Sequence, residues 1–196
     1  YEIDMRLRPN GDSGLLATPL NSYENYLKKE AWTWEHQALV RGRFITGDAD
    51  TQVTYEAIRQ RILCLPRNEL ELKQEVYKMR EKMRNTLDNS NQQTFNLKQG
   101  IGGIADIEFI VQFCILAYSE KHPDLMQFTD NINLLNTLAE QQLLNQEYVT
   151  TLKQAYCIFR DWGHKETLQG NKALIAQDQL VEIRKQVANI WQDLMN

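Results

Sequence analysis

From Leu20 onward the apolar residues return at the 3.6-residue period of an amphipathic helix, and only the opening residues keep the two-residue period of a strand. The predicted fold class is therefore mainly α: an antiparallel bundle of helices of roughly 15 residues, preceded by a short β segment. The clearest helix spans 68–87, where Leu72, Val76, Met79, Met83 and Leu87 are spaced by four, three, four and four residues. Its other surface mixes Lys73, Lys78, Arg80, Lys82 and Arg84 with Glu71, Glu75 and Glu81, which reads as a solvated face. Further helices are expected after Thr18-Pro19 (with Leu20, Tyr23 and Leu27 inward), from Trp32 to Arg43, and from an Asp50 cap through Val53, Ala57 and Ile62 to Leu65-Pro66. Later ones are expected at 104–118, 130–144, 145–163 and 178–195, the last three capped by Asp130, Asn145 and Asp178. Their inner stripes are Tyr148, Leu152, Ala155 and Phe159, then Leu180, Ile183, Val187, Ile190 and Leu194. The polar stretch DNSNQQTFNLKQG, residues 88–100, is the candidate long loop and divides the chain.

The opening words YEIDMRLRPNGDSG place Ile3, Met5 and Leu7 on one strand face and Glu2, Asp4, Arg6 and Arg8 on the other. Two carboxylates beside two guanidiniums suit a magnesium ion with substrate phosphates; a solvated face whose acids and bases pair along the strand accounts for the same pattern. The turn at 9–14 ends the strand, and its amides either cradle an anion or only connect.

A formal charge of -4 argues against a broad electrostatic grip on nucleic acid, while leaving room for a local basic patch. No apolar run approaches the roughly 20 residues of a membrane span, and no signal pattern opens the chain, so a cytoplasmic protein is expected. Cys64, Cys114 and Cys157 are scattered beside apolar neighbours and read as three buried thiols in a reducing compartment; a metal site built from Cys and His is not expected. The start on a strand without methionine suggests a piece of something longer.

In KQGIGGIADIEFIVQ, residues 98–112, Asp106 and Glu108 interrupt an apolar run. A desolvated carboxylate needs a cation or a function, and Lys98, Arg41 and Arg43 are the candidate partners. Catalysis and a buried ion pair tying two parts of the chain together both fit. In EAWTWEHQALVRGR, residues 30–43, helical spacing brings Glu30, Trp34, Gln37 and Arg41 to one face, suited to a purine or ribose. The plainer account packs both tryptophans between helices, with bonded indole N–H groups, and makes His36 a packed residue. No Ser-His-Asp or Cys-His arrangement stands out.

Taken in order, YEIDMRLRPNGDSGLL, EAWTWEHQALVRGR and GGIADIEFIVQ resemble the bacterial glutamine synthetase adenylyltransferases, over essentially the whole chain. That family has one half that attaches AMP to glutamine synthetase and one that removes it by phosphorolysis. The word EAWTWEHQALVR resembles the attaching, C-terminal half; the removing half has a shorter DWERYAMVKAR-like version. The resemblance implies a polymerase-beta-like nucleotidyltransferase core with Mg2+ held by three acids and ATP as substrate. The third acid matches Asp4, the implied catalytic residue and metal ligand. Arg6, Arg8, Ser13, Gly14, Arg41, Arg43 and Lys98 become implied nucleotide-binding residues, with Glu2, Asp106 and Glu108 in structural or supporting roles.

The division implied is the end of a catalytic core at 1–17, a connecting helical region at 18–100 and a C-terminal bundle at 101–196. Departing from the family pattern, no G-S-D-x-D word, which supplies the first two acids, occurs in these residues. The expectation is that they transfer no AMP by themselves. The implied partners are glutamine synthetase as protein substrate, with the PII signalling protein and glutamine as regulators. A non-catalytic helical module binding glutamine synthetase or PII, the adenylyl-removing half, and the related uridylyltransferase are the alternatives, the last two disfavoured by the tryptophan-rich word.

Overall fold

The structure, a computed structural model, describes residues 8–195, so the predicted strand with Glu2, Asp4 and Arg6 lies outside the described residues. Among those described, a 3-10 turn at Gly11–Ser13 leads into α1 (Leu20–Lys29), α2 (Thr33–Val40), α3 (Ala49–Leu63) and α4 (Glu69–Leu87). Then follow β1 (Thr94–Asn96), α5 (Ile104–Tyr118), a 3-10 turn at Pro123–Gln127, α6 (Asn131–Glu140), α7 (Gln146–Leu168), β2 (Leu174–Ala176) and α8 (Val181–Met195). The mainly helical expectation holds. None of these helices is long and apolar enough to cross a membrane.

Helix α5 is apolar nearly all round, and such a helix is stable in water only when other helices cover it. Here α2, α4, α6, α7 and α8 all pack on it, and one continuous core runs across residues 100 and 101. The stretch 88–100 is less of a loop than its polarity suggests. Thr94, Phe95 and Asn96 pair antiparallel with Ala176, Ile175 and Leu174, and buried Phe95 and Leu97 pin the segment to the core.

Helix starts follow side-chain capping chemistry. Asn68, Asp130 and Asn145 accept from the backbone N–H groups of Glu71, Asn133 and Glu147, the last two as expected from sequence. Elsewhere the caps shift. Asp48, not Asp50, accepts the Thr51 N–H at 2.7 Å to start α3. Pro19 itself precedes α1 with no side-chain cap bond, and α8 starts at Val181 after Leu180 at φ 55° rather than at Asp178. The inward face of α3 is Ile58, Arg59, Ile62 and Leu63, leaving Val53 69% exposed, because the first two turns lie at the surface. Cys157 is likewise exposed on α7, so only Cys114 is fully buried.

The larger correction concerns α4. Arg80 stands four residues after Val76, on the inward stripe, and is fully buried; Arg84 is mostly buried one turn later. Their partner is Asp106, also at 0% exposure, whose Oδ1 accepts from Arg80 Nε at 2.6 Å and from Arg84 Nη2 at 2.9 Å. Asp106 Oδ2 accepts the Gly102 N–H at 2.7 Å, and Arg80 donates onward to the side chain and carbonyl of Gln99. Neither Lys98 nor Arg43 supplies the cation; both are exposed. Gly102 sits at φ 76°, where a Cβ would fall 2.0 Å from the Arg184 carbonyl oxygen, so glycine is required on both counts.

Two more arginines, Arg59 buried and Arg67 half-buried, gather helix C-terminal carbonyls. Arg59 donates to Leu39, Val40, Met126 and Phe128, and Arg67 to Ile62, Leu63, Leu65 and Leu116. Arg67 also fixes His36. Because the Leu27 carbonyl can only accept, His36 Nε2 carries the proton in their 2.8 Å bond; because guanidinium can only donate, Nδ1, 3.4 Å from Arg67 Nη2, is bare. His36 is the packed residue expected of it. Burial, and then the Arg67 charge, lower its pKa below the ordinary 6.5.

Asp106→Leu strands the Arg80 guanidinium in the core and is expected to cost about 3–5 kcal/mol in urea unfolding, with Arg80→Met/Asp106→Leu costing less than the single change. A loss no larger than that from breaking the exposed Glu24–Arg61 pair would show that Asp106 does not organise the core. On acidification the unfolded chain takes up the His36 proton first, near 6.5, so stability falls below that pH until the folded form is protonated too. His36→Gln is expected to remove this slope. An unchanged slope, or a His36 NMR titration at or above 6.5, would refute the assignment.

Candidate functional site

Of the residues singled out in the sequence, Gln37, Arg41 and Glu108 meet where α2 packs on α5. Only eight residues long, α2 cannot be stable by itself and takes its position from ties to its neighbours. At its start Glu35 Oε2 accepts the Trp32 N–H at 2.8 Å, satisfying an orphan donor of the first turn, while Oε1 accepts the Tyr26 hydroxyl at 2.7 Å. One turn on, Gln37 Nε2 donates to Gln112 Oε1 on α5 at 3.1 Å, and past the helix end Arg41 Nη1 meets Glu108 Oε1 at 2.5 Å. Glu108 therefore finds the cation proposed for it, and Gln112 lies on the same side of α5, as helical spacing requires.

The polar residues of EAWTWEHQALVR thus serve as ties from α2 to α1 and α5. The tryptophans do the opposite of the packed expectation: Trp32 is 72% and Trp34 39% exposed. Glu30 is exposed at the end of α1 and is not part of the tied face.

A neighbouring face of α2 receives the turn that follows the predicted strand. Arg8, Pro9, Tyr23, Tyr26, Glu35 and Tyr55 line a small hollow of about 90 Å³ there. Burial first, then the nearby Tyr55 and Glu35, push the Tyr23 hydroxyl up to about 12, so it stays protonated and can donate. The turn is closed on itself: Gly11 N–H donates to Arg8 O, Ser13 N–H to Asn10 O and Gly14 N–H to Gly11 O. Those three amides are consumed by backbone carbonyls, which counts against an anion cradle in this conformation. Ser13 Oγ also turns back, donating to Asn10 O at 2.7 Å, and Arg8 Nε reaches Gly14 O at 3.5 Å with its guanidinium 3.8 Å from Asp12. Gly14 is held by a close approach, since a Cβ would lie 1.9 Å from the Pro9 carbonyl oxygen.

The described residues therefore bring Arg41 to Glu108 and place Arg8, Ser13 and Gly14 in one turn, while Arg43 and Lys98 point to solvent and Asp106 serves the buried network. Sequence reasoning missed Arg80, Arg84, Arg59 and Arg67. The retrievable signal was position: Arg80 falls on the 72–76 stripe, and Arg59 beside Ile58. Among the described residues no three His, Cys, Asp or Glu side chains gather to hold a metal ion. His36 has both ring nitrogens engaged, and burial pushes the Cys114 thiol up to about 12, so neither is set up as base or nucleophile.

Comparison with known proteins gives the arrangement a context. Residues 1–58 match the family model described as glutamate-ammonia ligase adenylyltransferase, and residues 70–190 match the one described as GlnD PII-uridylyltransferase. Relatives named bifunctional glutamine synthetase adenylyltransferase/adenylyl-removing enzyme align over 100% of the chain: 46% identical in Nitrosococcus oceani, 44% in Acinetobacter baylyi and 43% in Methylococcus capsulatus. The chain spans only 20–22% of their length. Aligned over its whole length with those enzymes, the chain belongs to the glutamate-ammonia ligase adenylyltransferase family, and its residues 70–190 are also similar to the PII-uridylyltransferase model.

Proposed function

We propose that this chain serves in the enzyme that transfers AMP from ATP to a tyrosine of glutamine synthetase, and so in the control of nitrogen assimilation in the cytoplasm. The observation that carries the proposal is the 46% identity along the whole chain to a relative bearing that name. In this reading the tyrosine hydroxyl oxygen bonds to the α-phosphorus of ATP, the bond to the β-phosphate bridging oxygen breaks, pyrophosphate leaves and the hydroxyl proton is released. Such a reaction depends on positioning, and positioning is what the described residues offer. Glu35 ties Tyr26 to the start of α2 beside the Arg8–Gly14 turn, and all three line one small hollow.

Mg2+ is the cofactor in this reading, with Asp4 as one of its ligands; Arg6 and Arg8 face the nucleotide phosphates, and PII and glutamine regulate the whole enzyme. The 196 residues contain no G-S-D-x-D word, so alone they are proposed to transfer no AMP. The attaching activity is preferred to the removing one on the word EAWTWEHQALVR. A second reading has its own support in the relatives' names, which carry both activities: in phosphorolysis an orthophosphate oxygen bonds to the AMP phosphorus, the bond to the tyrosine oxygen breaks, ADP leaves and the tyrosine hydroxyl is restored.

AMP incorporation into glutamine synthetase is to be measured with this chain and with a longer protein that restores the upstream G-S-D-x-D region, each with and without Asp4→Ala. Incorporation by the longer protein alone, reduced about 100-fold or more by Asp4→Ala, is the expected outcome. Activity in the short chain, or a longer protein indifferent to Asp4, would place the chemistry elsewhere. Release of ADP from adenylylated glutamine synthetase by phosphate, without incorporation, would favour the removing reading.

A further inference from the structure

Between α2 and α4 lies a groove of about 420 Å³, within the ordinary size range of small-molecule sites. Trp32 and Trp34 stand on one side of it, Lys78, Met79 and Lys82 on the other, and Gln37 belongs to its lining. Three features distinguish it from a gap left by imperfect packing. Its tryptophans are exposed although each could bury a large apolar area, and exposed indoles beside a concavity offer flat stacking surfaces. Lys78 and Lys82 stand one turn apart on α4, neighbours on the same side, giving two ammonium groups in a chain whose formal charge is -4.

The third feature is the most specific. Gln37 is 3% exposed, its Nε2 donates to Gln112, and its Oε1 is buried with no hydrogen-bond partner. An unmet buried acceptor is costly, and the group that meets it must bring an N–H or O–H. The carboxylate at the rim is already engaged, since Glu75 accepts the Thr33 hydroxyl across from α4 to α2.

We propose that this groove is a binding site for a small heteroaromatic anion with an amino substituent, the chemistry of a purine mononucleotide. The ring stacks against Trp34 and Trp32, an amino N–H meets Gln37 Oε1, and the phosphate lies toward Lys78 and Lys82. The site is distinct from the hollow beside the Arg8–Gly14 turn: that one is lined by Glu35, Ala38, Leu39 and Gly42 of the α2 region, this one by Trp34 and Gln37. It does not rest on the AMP-transfer reading. Ligand held here would join α2 to α4 across a gap that the Thr33–Glu75 bond spans at one end.

The test is calorimetric titration of this chain with adenosine 5′-monophosphate, with circular dichroism confirming the fold of each variant. Saturable binding is expected, weakened about tenfold or more by Lys78→Ala/Lys82→Ala and by Trp34→Leu, and unchanged by Asp4→Ala. Purine riboside 5′-monophosphate, which lacks the amino group, is expected to bind several-fold more weakly. No saturable binding at millimolar nucleotide, equal binding of the amine-free analogue, or groove variants that bind like the parent would each overturn the proposal. Binding abolished by Asp4→Ala and untouched in the groove variants would overturn it while supporting a nucleotide site on the opening strand. Loss in the groove variants with Asp4→Ala silent supports the groove whatever becomes of the AMP-transfer reading.

Discussion

The ion pair between Arg80 and Asp106 is the point through which most of the structure is joined. Burying two opposite charges at 0% exposure costs several kcal/mol per ion unless their remaining hydrogen-bonding capacity is also met. Here Asp106 takes Arg80, Arg84 and the Gly102 amide, while Arg80 takes both groups of Gln99. That demand fixes three pieces at once: the register of α4, the loop at 97–103 and the first turn of α5. The loop then sets α8, because Gly102 approaches the Arg184 backbone too closely for any side chain. The Arg184 guanidinium in turn lies 4.0 Å from the Phe95 ring centroid and bonds Gln177, so the β1–β2 ribbon is held by the same chain of contacts.

Arginine recurs at these junctions for a reason that lysine would not satisfy. A planar fork with five donors can reach carbonyls from two helix ends at once, and it keeps its charge when buried. Arg59 joins the end of α2 to the 3-10 turn at Pro123–Gln127, and Arg67 joins the end of α3 to that of α5. Helix C-termini carry partial negative charge, so each guanidinium is stabilised by several weak dipoles, to which Arg59 adds the Glu56 carboxylate at 3.8 Å. Burial still lowers the pKa of Arg67 to about 10, far enough above neutral that it stays charged.

Legibility from sequence tracks how local each signal is. The bounds of α4 and α5 were readable, because a cap such as Asn68 acts on an amide three residues away and apolar spacing needs only the helix itself. The role of Arg80 was not, because its partner is 26 residues distant and a charged residue on an apolar stripe counts as noise in a periodicity. The same holds for Thr94–Asn96, whose strand partners lie about eighty residues later. At the site, Arg41 was one of three candidate cations that the need of Asp106 and Glu108 for a partner singled out, and it pairs with Glu108. That Trp32 and Trp34 face solvent was not, since composition rewards burying indoles and cannot register a concavity made jointly by two helices. The sequence singled out Asp4 through resemblance to a family motif alone, and it lies outside the described residues.

Helix α2 stands where these two kinds of information meet. Its own eight residues would not hold a helix in water, yet every polar side chain along it from Glu35 to Arg41 is bonded to another element. On one face it seats the Arg8–Gly14 turn, on another it borders the tryptophan groove, and α5 backs it through Gln112 and Glu108. A displacement of α2 large enough to reshape either face must first break the bonds of Gln37 and Arg41, and the second of these joins opposite charges that are partly shielded from water. Both surfaces are accordingly held in place before anything binds, so little ordering entropy remains to be lost on binding. The polar residues of EAWTWEHQALVR from Glu35 to Arg41 are then explained by the positioning of a short helix between two surfaces.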